Sequence, residues 1–167
     1  MVDGWQCLRT REGSVTWQHG SLVCVYFTGA TTEAELDADF AAQQPVVERF
    51  GELSHLVIFH ADRIGRISAG ARQRAAEHIR AFGPRLRCSG LVLLGGGLGA
   101  ALMRVGIAGA NVISGAGERH RIFSSIDDAL RWIREYPKQH ESLRDVATAQ
   151  LEELLGFGAE RRAAGGR

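Results

Sequence analysis

The chain alternates between two hydrophobic periods. In SVTWQHGSLVCVYFTG (residues 14 to 29) strand-type apolar runs flank a His19-Gly20 turn, which predicts a β-hairpin. The period then changes to a helical one. Leu36, Phe40, Val47 and Phe50 recur at helix spacing up to Gly51, and Thr32 with Glu35 forms a capping-box pair at the start. Pro45 removes one internal hydrogen bond, so a kink or a two-part helix is expected there. The next strand is HLVIF, whose unbroken apolar run from Leu56 to Phe59 implies cover on both faces of a sheet.

Beyond a loop, Ala71, Ala75, Ile79 and Phe82 share one face of a second helix that stops at Gly83-Pro84. LVLL (91 to 94) reads as another central strand, so Leu56, Val57, Ile58, Phe59, Leu91, Val92, Leu93 and Leu94 are the expected deep core. Residues 98 to 108 are helix-like but glycine-interrupted, and NVIS (111 to 114) is a brief candidate strand. HRIF (120 to 123) reads as an edge strand, and Ser125 with Asp128 caps a helix that carries Ile126, Ala129 and Ile133 to near Tyr136-Pro137. A last helix over about 139 to 155 buries Leu143, Val146, Leu151 and Leu154. The end of the chain, AERRAAGGR, is small and polar, and disorder is expected for it. The order β-β-α-β-α-β-α-β-α implies an α/β domain with a mixed sheet of four or five strands, helices packed against it and a C-terminal helix.

With 167 residues the chain is one domain by length. The balance of 20 basic and 19 acidic residues produces no overall field to steer it onto nucleic acid. All the basic residues except Lys138 are arginine, and they crowd the loop and helix after HLVIF, whereas Glu33, Glu35, Asp37 and Asp39 make the first helix acidic. Compositional bias and solvated helix faces account for the arginines more simply than a binding patch does. Cys7, Cys24 and Cys88 are an odd, widely spaced set beside apolar stretches, so packed free thiols and a reducing compartment are expected. The N-terminus has no apolar signal region and no stretch approaches a membrane span, which points to a cytoplasmic protein.

Two stretches carry a family resemblance. RIFSSIDDALRWI (121 to 133) resembles the last strand and helix of the STAS family, and LSHLVIFHADRIGRISAGAR (53 to 72) resembles the strand, loop and helix start at which anti-sigma-factor antagonists carry Asp-Ser-Ser-Gly. The resemblance spans residues 14 to 136 and implies a STAS-like domain over 1 to 136, related to SpoIIAA-like and lipid-binding SEC14-like proteins, followed by a helical extension and disordered tail over 137 to 167. The antagonist motif falls on Ile67, Ser68, Ala69 and Gly70, with Ala69 where antagonists are phosphorylated. The resemblance implies a non-enzymatic regulatory domain without the usual phosphoserine switch. Its protein partner would dock on Asp62, Arg63, Arg66, Ser68 and Arg72. Ser68 is a candidate phosphosite whose simpler role is to cap the following helix. The SEC14-like relatives imply an alternative, a small-molecule or lipid-binding module with an apolar cavity under GIAGANVISGAG (106 to 117). The C-terminal helix is a candidate surface for self-association.

Other chemistry has thinner support. Gly95, Gly97 and Ala100 satisfy G-x-G-x-x-A, and Gly95, Gly97 and Gly99 could approach a nucleotide phosphate. In a dinucleotide fold that fingerprint follows the first strand; here it follows the fourth, and a tight turn explains the glycines, so no cofactor is expected. The six histidines show no metal-binding spacing, and no metal is expected. His60 and Asp62 at a strand end could form an acid–base pair, although a solvated loop explains them as well. Cys88 reads as a packed thiol rather than a nucleophile.

Overall fold

The computed structural model describes residues 4–29, 31–60, 67–95 and 117–165, with side chains as far as Gly156. Among the described residues six strands form one mixed sheet in the order β1-β2-β3-β4-β5-β6, the same as their order along the chain. They are β1 (Gln6–Thr10), β2 (Ser14–His19), β3 (Leu22–Phe27), β4 (Leu53–His60), β5 (Leu86–Leu94) and β6 (His120–Phe123). β1, β2 and β3 pair antiparallel, whereas β3 to β6 are parallel. The hairpin lies where His19-Gly20 predicts it, and Gly20 has a positive φ of 56°.

Among the described residues four helices cover the sheet: α1 (Glu33–Phe50), α2 (Ala69–Phe82), α3 (Ile126–Glu135) and α4 (Thr148–Gly165). The capping signals act as the sequence predicts. Thr32 and Glu35 complete a capping box on α1, and Ser125 accepts from the Asp128 amide at the start of α3. α1 and α2 pack on one face with Val23, Val25, Phe59, Phe82 and Leu93, and α3 and α4 on the other with Trp17, Cys24, Leu56, Ile58 and Val92. Gly90 sits where α3 approaches the sheet: a Cβ there would meet Ile133 Cδ1 at 3.2 Å. Leu143, Val146, Leu151 and Leu154 are buried as their spacing predicts, in the same cluster as Trp5 and Leu130.

The structure corrects several expectations. The sheet has six strands rather than four or five, because β1 (QCLRT) pairs with β2 although it lacks an apolar pattern of its own. α1 runs unbroken through Pro45, so it is one helix rather than two. A 3-10 turn at Glu141–Leu143 precedes the last helix, which starts at Thr148 rather than 139. That helix continues to Gly165 where disorder is expected, since glutamate, arginine and alanine are favourable helix residues. Leu56, Ile58, Phe59, Val92 and Leu93 are buried, but Val57, Leu91 and Leu94 are only half-buried. The helix-like 98 to 108 stretch and the NVIS strand lie outside the described residues. Among the described residues no helix is long and apolar enough to cross a membrane.

Candidate functional site

Val57 and Leu91 are paired neighbours on the two central parallel strands, on the face covered by α1 and α2, yet both retain accessible surface. The cause is the composition of α2. Its sheet-facing side begins with Ala71 and Ala75, whose methyl groups leave the space over β4 and β5 unfilled before Ile79 and Phe82 close it. A cavity of about 170 Å³ results, walled by Phe27, Phe59 and Leu91 from the sheet and by Phe40, Ile79 and Phe82 from the helices. An apolar engineered cavity of about 150 Å³ stays dry and takes up benzene, so the space here is of ligand size.

One polar row crosses this apolar wall. His55 on β4 is in register with Ser89 on β5, which is in register with His120 on β6, and all three line the cavity. Burial, and after it the neighbouring His120, lowers the His55 pKa to about 4. His120 is also lowered to about 4, first by burial and then by the positive charge of Arg119. Both imidazoles are therefore neutral at pH 7. His55 Nε2 and Gln43 Oε1 are sealed from solvent and have no hydrogen-bond partner among the described residues.

A carboxylate also reaches the wall, and it is neutralised. Asp39, on α1, accepts from Arg9 Nη1 at 2.6 Å, from Thr16 Oγ1 at 2.7 Å and from Ser14 Oγ at 3.3 Å. It is 3% exposed, unlike the acidic residues that precede it on the helix. The signal was present in the spacing, because Leu36, Asp39, Gln43 and Val46 share the helical face that carries the core.

The expected docking residues are only partly described. Asp62, Arg63 and Arg66 lie outside the described residues. Ser68 is exposed and caps α2, accepting from the Ala71 amide at 2.9 Å, which is the role its position predicts. Arg72, exposed in the first turn of α2, lines the cavity and donates from Nη1 to the Ile67 carbonyl at 2.8 Å. Gly95 ends β5 with a φ of 93°, a conformation that favours glycine. Gly97 and Gly99 lie outside the described residues, as does Asp62, the expected partner of His60. His60 itself packs edge-on against Tyr26 at 5.7 Å.

The cysteines divide. Cys24 is fully buried and its thiol is pushed well above the ordinary range by burial. Burial likewise pushes Cys88 up to about 11, and Gln139 Nε2 donates to its sulfur at 3.0 Å. Cys7 corrects the expectation of a packed thiol: it is exposed on the edge strand β1. Among the described residues no three histidine, cysteine or carboxylate side chains gather as metal ligands. A second, more open cavity of about 500 Å³ lies between β6 and α3, with Glu118, Trp132, Glu135 and Tyr136 on its walls. His120 and Arg121 border both cavities. No protein-family model matches the chain, and neither a curated protein nor a solved structure matches it significantly.

Proposed function

We propose that the protein binds a small apolar molecule in the cavity between the sheet and the helices α1 and α2, and that it acts as a binding protein rather than an enzyme. The observation that carries this reading is the half-exposed pair Val57 and Leu91 at the centre of a doubly covered sheet. Unfilled volume in a core costs stability, so a fold that leaves it open on its central strands gains when a ligand fills it. The two imidazoles, kept neutral, add hydrogen-bonding capacity without a charge that an apolar ligand would have to desolvate.

The test is ligand-induced stabilisation with 1-octanol, together with a variant in which the cavity is filled. Octanol at increasing submillimolar concentrations should raise the melting temperature by mass action, and Ala75→Phe should abolish the rise while the variant remains folded by circular dichroism. A wild-type protein that shows no shift, or an undiminished shift in Ala75→Phe, refutes the reading.

The exposed start of α2 supports a second reading, a STAS-like regulatory domain that docks a protein partner there. Ser68 and Arg72 are both accessible on this turn. Phosphate on Ser68 is disfavoured by its surroundings, because the hydroxyl is engaged as the helix cap and the Glu33 carboxylate packs against Gly70 two residues on. Docking would therefore act through Arg72 and the unmodified turn.

A further inference from the structure

We propose that the ligand of this cavity is an amphipathic monocarboxylate, with its apolar body over Val57 and Leu91 and its carboxylate on Arg72; this rests on the cavity being a ligand site. Most charged groups around the walls already have partners. Asp39 is paired with Arg9 Nη1 and takes two hydroxyl hydrogen bonds besides. His78 is bonded to Asp37 at 2.9 Å. The Arg121 guanidinium lies over the Phe123 ring at 5.6 Å, and Phe123 belongs to the opposite face of the sheet. Arg72 is different. It spends one N–H on the Ile67 carbonyl and forms no ion pair with any described carboxylate.

The position of Arg72 sets the ligand's orientation. It lines the cavity with Ile67, Phe27 and Phe59, at the carboxyl ends of the parallel strands, where sites in open α/β sheets form. The polar row begins at His55, four residues back along β4, about 13 Å away at strand rise. Between the two ends the sheet presents Val57 and Leu91. A ligand that matches this wall has an extended apolar body and one terminal anion. Because Arg72 is exposed, the carboxylate stays hydrated on its outer side and avoids the cost of full burial. A guanidinium has donors to spare and offers a fork suited to a carboxylate.

The experiment compares octanoate with 1-octanol at pH 8 by isothermal titration, on the wild type and on Arg72→Met, which retains an apolar stem and removes the charge. Octanoate should bind about tenfold more tightly than octanol, the size of one charge-assisted contact. Arg72→Met should reduce octanoate to the level of octanol and leave octanol unchanged, and added salt should weaken octanoate alone. Equal binding of the two probes, or a preference that survives in Arg72→Met, overturns the monocarboxylate while the apolar-ligand reading stands. If neither probe binds the wild type, both fall.

Discussion

Arg9 on β1 and Asp39 on α1 meet at 2.6 Å with side-chain exposures of only 11% and 4%, so the edge strand and the first helix are joined by a nearly buried ion pair. Removing one member strands the other in a low-dielectric site. Arg9→Ala is expected to cost about 3 to 5 kcal/mol, and the double substitution Arg9→Met with Asp39→Leu should cost less than Arg9→Ala alone. Urea unfolding of the three proteins checks this; a double variant less stable than the single one contradicts it.

The neutral imidazoles predict acid sensitivity. His55 and His120 have folded pKa values of about 4 against an ordinary 6.5. Between these values the unfolded chain takes up protons that the folded chain does not, so stability is complete above pH 6.5 and falls as the pH drops toward 4. The loss from His55 is about 3 kcal/mol at most. Urea midpoints across this range should fall less steeply for His55→Gln than for the wild type, and parallel curves would refute the assignment.

Thiol reactivity should separate the three cysteines. Cys7 is exposed, whereas Cys24 and Cys88 are buried and their thiolates disfavoured. A thiol reagent at pH 8 should modify one thiol quickly in the native protein and all three in urea. Cys7→Ser should remove the fast phase; rapid modification that persists in this variant contradicts the placement.

Ser68→Ala should cost about 1 kcal/mol through loss of the α2 cap. Thermal melts of the variant check this. An unchanged melting temperature would mean that the hydroxyl does not cap the helix in solution.

The parts of the fold that depend on neighbours along the chain were legible in the sequence. The hairpin at His19-Gly20, the caps at Thr32, Ser68 and Ser125, and the buried side of the last helix each follow from residues within a few positions of one another. The α2 face Ala71-Ala75-Ile79-Phe82 was equally plain in its spacing. That two alanines leave a cavity was not, because the gap depends on what the sheet presents opposite them.

The sequence by itself determined the hairpin, the central strands β4 and β5 and the starts of the first three helices, since caps, turns and hydrophobic period act locally. Only the tertiary structure decided β1, the burial of Asp39, the cavity and the row His55-Ser89-His120. β1 has little apolar pattern because an edge strand takes its place by pairing with β2. Asp39 became a core residue only when Arg9, Ser14 and Thr16, 23 to 30 positions away, converged on it. The row depends on the registers of β4 with β5 and of β5 with β6, and register is set when whole strands choose their partners. No short stretch of residues contains that choice.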